Sequence, residues 1–128
     1  LCKRFISALE NSVERNFGSA QMITCMAHAN ENLFNYRKSV VTRACDDFLP
    51  DDEASQAAHV AHCAYNGVFL AEIAIPDWDM FQSAHHSGAF HGAARAVSGA
   101  AIYVSDRPGH HDWDLLRQLV TPDGRTLP

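Results

Sequence analysis

Four short polar clusters hold most of the residue types able to do chemistry in this sequence. They are Cys25-Met26-Ala27-His28, Arg43-Ala44-Cys45-Asp46-Asp47, Asp77-Trp78-Asp79 and Ser105-Asp106-Arg107. The adjacent pair Asp46 and Asp47 is the most informative. Neighbouring carboxylates repel, so one tends to be held by a cation or kept protonated, and Arg43 is near enough in sequence to pair with one. A carboxylic acid protonated near neutral pH is what a general acid requires. Asp46 or Asp47 could instead simply cap the following helix. Asp77, Asp79 and Asp106 can accept hydrogen bonds from hydroxyls, and Trp78 has a face on which a sugar ring could stack. The alternatives are core packing for Trp78 and a turn role before Pro108-Gly109 for Asp106. Taken together the clusters favour a polyol or sugar pocket, with His28 placed to face it.

The clusters fall where a regular fold would put them. Apolar residues at three- and four-residue steps predict a helix over residues 1–17, ended by Gly18. Short apolar or β-branched runs at 20–25, 40–44, 74–78 and 100–104 read as buried strands, and each is followed by one of the polar clusters. Residues 54–71, 84–97 and 112–120 read as helices, and Thr121-Pro122-Asp123-Gly124 as a turn. The stretch 26–39 has room for only a short helical turn. Strands alternating with helices predict an α/β fold with a parallel sheet of about four strands, and ligand sites in such folds gather outside the strands' carboxyl ends.

The overall balance narrows the function classes. The 128 residues carry a net charge of −5 with scattered Lys and Arg, which argues against a nucleic-acid partner. No run of about 20 apolar residues exists to span a membrane. The four cysteines, Cys2, Cys25, Cys45 and Cys63, form no C-x-x-C pair and are expected as free thiols in a reducing compartment. The eight histidines include His59 and His62 three residues apart, expected on a helix surface or at an interface, but no H-E-x-x-H or comparable spacing. No metal and no cofactor are expected.

Four motifs in order carry a family resemblance: Arg43-Ala44-Cys45-Asp46-Asp47-Phe48-Leu49-Pro50, Pro76-Asp77-Trp78-Asp79-Met80-Phe81, His91-Gly92-Ala93-Ala94-Arg95-Ala96-Val97, and Ile102-Tyr103-Val104-Ser105-Asp106-Arg107-Pro108-Gly109. From about residue 18 onward the chain resembles the raffinose synthase and seed imbibition proteins of glycoside hydrolase family 36, which includes alkaline α-galactosidases. The resemblance implies a TIM (β/α)₈ barrel, of which this chain looks like the C-terminal half, roughly strands five to eight. Residues 1–120 are then part of the catalytic barrel, and 121–128 begin the segment that follows it. Leu1 is expected to be an internal residue.

The implied chemistry is retaining α-galactosyl transfer, with galactinol as donor and sucrose as acceptor. Hydrolysis of raffinose-type oligosaccharides is the close alternative, and a non-catalytic fragment a further one. The family's acid/base lies in an R-x-x-x-D motif that Arg43 and Asp47 match, which implies Asp47 as acid/base; a neighbouring alignment would choose Asp46. Where relatives commonly show Ser, this chain has Cys45. Asp77, Trp78, Asp79, His28 and Asp106 would line the sugar subsites. The nucleophile belongs to a K-x-D motif that neither Lys3 nor Lys38 provides. A cytoplasmic location is expected, a plastid being the alternative because any transit peptide would lie upstream.

Overall fold

The computed structural model describes residues 1–126, in the order α1 (Cys2–Phe17), β1 (Ile23–Thr24), α2 (Asn30–Leu33), β2 (Val41–Arg43), α3 (Ser55–Leu70), β3 (Ile75–Asp77), α4 (Gly88–Ala96) and α5 (Trp113–Gln118). The strands form one parallel sheet in chain order, β1-β2-β3. Every expected helix is present, and α2 is the single short turn that residues 26–39 could accommodate.

Register explains how the sheet presents its faces. Thr24 is aligned with Thr42 and Thr42 with Pro76, and all three are buried. The hydroxyl of Thr24 donates to that of Thr42 at 2.7 Å, so the polar pair is satisfied inside. The adjacent row, Ile23, Val41 and Ile75, points the opposite way because strand side chains alternate. Ile23 and Ile75 remain 48% and 45% exposed.

Behind the buried face two apolar clusters form. Ala44, Cys63, Leu70, Trp78 and Ala100 make one; Phe48, Phe81 and Leu119 make the other. α3 contributes Gln56, His59, Cys63 and Leu70 from a single face, a spacing of about one and two turns. His59 is therefore buried inside this chain, where its sequence context suggests a helix surface or an interface. Gly88 opens α4 under tight constraint, since a Cβ there would lie 2.4 Å from the carbonyl oxygen of Ser83. α1 differs from expectation. Ile6 and Glu10 are buried, but Phe5 and Phe17 of the predicted apolar face are exposed. What fixes α1 is polar: the Glu10 carboxylate accepts backbone N–H bonds from Arg37, Lys38 and Ser39 at 2.8–3.1 Å. Burial alone would raise the pKa of Glu10, yet these three donors outweigh it and lower it.

The fourth predicted strand is reduced to one contact. Among the described residues, 100–104 pair with the sheet side only through a parallel bridge between Val104 and Phe81. The reason lies in the backbone beyond β3. Asp79 sits at a φ of 60°, which bends the chain out of the extended path. Arg95, 1% exposed, takes the carbonyls of Trp78, Asp79 and Met80 at 2.7–3.1 Å, so these acceptors are withdrawn from any ladder. Residues after α5 turn back where Thr121 N–H meets the Arg125 carbonyl at 2.8 Å; the rest of the expected trailing segment, Leu127 and Pro128, lies outside the described residues.

His91 on α4 is fully buried between two partners of opposite demand. Its Nε2–H donates to Gln56 Oε1 at 2.8 Å, and its Nδ1 accepts from Arg95 at 3.1 Å. Burial first, and then the charge of Arg95, hold its pKa down at about 4. The unfolded imidazole titrates near 6.5, so below that pH the unfolded state binds the additional proton and folding weakens. Urea unfolding of the full-length protein is expected to show about 2 kcal/mol of stability lost from this group between pH 7 and 4.5, a component absent in His91→Gln. An unchanged pH slope in the variant contradicts the assignment.

Candidate active site at the strand ends

β2 ends on Arg43 and β3 on Asp77, and the parallel register sets these two residues side by side on one face. Arg43 Nε donates to Asp77 Oδ2 at 2.5 Å. Tyr103, arriving from the 100–104 segment, donates its hydroxyl to the same carboxylate at 2.9 and 3.0 Å. One Arg43 nitrogen lies 3.0 Å from Asp79 Oδ1. Its N–H is not aimed along that contact, so the oxygen gains charge compensation but no hydrogen bond. The other oxygen of Asp79 accepts the Phe48 N–H at 2.8 Å and thereby fixes the loop after β2.

Charge in this cluster is well defined. Burial works against the Arg43 guanidinium, but the hydrogen bond to Asp77 and the charges of Asp79 and Asp77 outweigh it and raise its pKa. Arg43 therefore stays cationic. Burial and the bond to Asp77 push Tyr103 up to about 12, so its hydroxyl keeps the proton it donates.

The loop that Asp79 fixes carries the two carboxylates singled out from sequence, and they diverge. Asp47, with a side chain 75% exposed, reaches back to Arg43 at 3.4 Å. Asp46 is 89% exposed and faces His62 of α3, also at 3.4 Å. Both border an open groove of about 890 Å³ with His28, Cys45, His62 and Asn66. His28 joins the site through its Nε2, 2.7 Å from the Arg43 carbonyl.

The remaining predicted sugar contacts lie deeper. Asp77 and Asp79 are 0% and 3% exposed, with their oxygens directed at Arg43, Tyr103 and the 48 amide. Trp78 belongs to the buried cluster around Cys63 and Leu70. Asp106 accepts from the Ser83 amide and hydroxyl at 2.7 and 2.5 Å and lies 3.1 Å from His111 Nδ1. Burial would raise the Asp106 pKa, but Ser83 and His111 outweigh it and hold it below the ordinary carboxylate range. In this arrangement the strand-end carboxylates brace the loops, and Asp46 and Asp47 are the ones that face open space.

Tyr103 and Arg95 were not picked out from sequence as site residues. Tyr103 lay in an apolar strand pattern, where its opposite orientation to Ile102 and Val104 was the available signal. Arg95 lay four residues after His91 on a helix of small residues, a spacing that brings the two side chains together.

A family described as "Raffinose synthase or seed imbibition protein Sip1" matches residues 1–128. The chain belongs to this family. Among curated members, it is 52% identical over 127 residues to "Probable galactinol--sucrose galactosyltransferase 1" of Arabidopsis thaliana, covering 99% of this chain and 17% of that protein. It is 43% identical over 136 residues to "Galactinol--sucrose galactosyltransferase" of Oryza sativa subsp. japonica, covering 99% and 17%. It is 40% identical over 137 residues to "Stachyose synthase" of Pisum sativum, covering 100% and 16%. The chain thus spans 16–17% of the length of these raffinose synthase family relatives. No helix among its described residues is long and apolar enough to cross a membrane.

Within this raffinose synthase family segment, Tyr103→Phe removes the hydroxyl from a buried carboxylate and leaves the ring in place. We expect urea unfolding of the full-length protein to show a loss of about 1.5–3 kcal/mol, the range for hydrogen bonds to charged groups. A change within about 0.5 kcal/mol contradicts the bracing role.

Proposed function

We propose that this chain supplies the acid/base half of the active site of a longer retaining α-galactosyltransferase, which moves a galactosyl group from galactinol to sucrose. The observation that carries the reading is the divergence of Asp46 and Asp47: only Asp47 is tethered to the Arg43 cluster while remaining open to the groove. The names of the relatives supply the substrate class.

Retention requires two carboxyls about 5–5.5 Å apart. Asp47 gives its proton to the leaving oxygen of the donor while a second carboxylate attacks the anomeric carbon. In the second half-reaction Asp47 takes the proton from a sucrose hydroxyl as that oxygen attacks the galactosyl-enzyme. The family resemblance implies a K-x-D motif for the second carboxylate, which neither Lys3 nor Lys38 provides, and on this reading it comes from another part of the longer protein. Arg43 serves positioning. It already faces two buried carboxylates, Asp77 and Asp79, so it holds Asp47 at 3.4 Å without a full countercharge to spare for it.

The fold reading follows the same line. The three parallel strands are taken as consecutive strands of a (β/α)₈ barrel, with residues 1–120 inside it and the later residues leading out. Its supports are the chain-order parallel pairing, the chemistry at the carboxyl ends and the half-exposed row of Ile23 and Ile75, which a closed barrel would cover. Four unpaired cysteines fit a reducing compartment, the cytoplasm.

In the full-length protein, Asp47→Asn is expected to lower galactosyl transfer by about 10²–10⁴-fold with unchanged unfolding behaviour, and Asp46→Asn to lower it by less than about tenfold. The reverse order moves the acid/base role to Asp46. Incubation with galactinol and sucrose is expected to give the galactosylated sucrose as main product; free galactose as the dominant product makes the enzyme a hydrolase instead.

A further inference from the structure

α3 carries His59 and Cys63 one turn apart, both on the face that meets the loop after β2. Cys45 sits in that loop. The two sulfurs lie 2.8 Å apart, and His59 ring nitrogens lie 3.7–3.9 Å from them. Such a trio suits either a metal ion or a disulfide, and the distances choose between them. Tetrahedral zinc holds thiolates at about 2.3 Å, which spaces two of them about 3.8 Å apart. The sulfurs here are well inside that spacing. The third ligand is also engaged: His59 Nε2 lies 3.2 Å from the Trp78 carbonyl and 3.1 Å from an Arg95 nitrogen, which sets a buried cation against any incoming one. A disulfide has its sulfurs about 2.05 Å apart, so under about 1 Å of further approach closes it.

We propose that Cys45 and Cys63 form a reversible disulfide, a modification site for small thiol–disulfide couples of the glutathione type. Access is through Cys45, which is half-buried and borders the open groove, whereas Cys63 is fully buried. In the first step the Cys45 thiol loses its proton to solvent, and the thiolate attacks one sulfur of glutathione disulfide. A mixed disulfide forms and one glutathione thiolate leaves. The Cys63 thiol then loses its proton and its sulfur attacks Cys45, expelling the second glutathione. The two protons end on the two released thiols, and two protein thiols have been oxidised by one glutathione disulfide. The hydrogen bond with Cys63 and burial push the Cys45 thiol up, so exchange quickens with rising pH. The closed disulfide ties the loop bearing Asp46 and Asp47 to α3. The proposal rests on the sulfur geometry and stands apart from the acid/base assignment.

The test uses the full-length protein, incubated with glutathione disulfide or with dithiothreitol, alkylated and digested. Residues 44–94 contain no Lys or Arg, so trypsin leaves both cysteines in one peptide, while cleavage after Glu53 separates them. We expect the oxidised tryptic peptide to lack two hydrogens, and after cleavage at Glu53 and Glu72 its Cys45 and Cys63 fragments to stay joined until dithiothreitol is added. Cys63→Ser is expected to stop at one glutathione on Cys45, and Cys45→Ser to leave Cys63 unmodified. The proposal is overturned if both wild-type thiols remain alkylatable after oxidation. Linkage of either to Cys2 or Cys25, or protection of the pair by one bound zinc, overturns it equally.

Discussion

A single guanidinium, that of Arg43 at the end of β2, compensates two buried carboxylates, Asp77 and Asp79, at the end of the adjacent strand β3, and the placement of the polar groups around it follows. Asp77 and Asp79 are buried almost completely, and an uncompensated charge there would cost about 3–5 kcal/mol, the range for breaking a buried ion pair. The sheet register is tied to this demand. A slip of one residue would carry Arg43 to the opposite face, away from Asp77, and would break the Thr24–Thr42 pair as well. Once Asp79 is held, its free oxygen captures the Phe48 amide, and the loop with Asp46 and Asp47 is set.

A second buried guanidinium does for backbone what Arg43 does for side chains. Among the described residues Arg95 touches no carboxylate within bonding distance and instead gathers the carbonyls of residues 78–80, with its charge 5.1 Å over the ring of Phe81. Burial lowers its pKa, while the neighbouring Cys63, Cys45, Asp79 and Tyr103 work the other way. Holding three successive carbonyls keeps Asp79 in its left-handed conformation, an arrangement costing of order 1–3 kcal/mol that functional sites commonly retain. The two arginines meet at Asp79, one through its carboxylate and one through its carbonyl.

Helix positions and the three strand positions were legible because periodicity and turn residues are local signals. The Arg43–Asp47 pairing was legible too, as it spans four residues. What sequence did not show were partners set by register and by helix face. Asp77 was read as a hydroxyl acceptor, yet its burial and its bonds to Arg43 and Tyr103 depend on residues 34 and 26 positions away. Trp78 carried two readings from composition, and its position in the cluster with Leu70 follows from where α3 lies. Cys45 and Cys63 looked unrelated at a separation of 18 residues until α3 brought them together. The apolar pattern of α1 predicts burial of a face of which this chain fully buries Ile6 and half-buries Val13.

Arg43 and Asp77 act as one unit at the strand ends. A double-mutant cycle in the full-length protein, using Arg43→Gln, Asp77→Asn and their combination followed by urea unfolding, measures this directly. A coupling energy of about 1–3 kcal/mol is expected, with the double variant less destabilised than the sum of the two singles. Additivity within about 0.5 kcal/mol would contradict it.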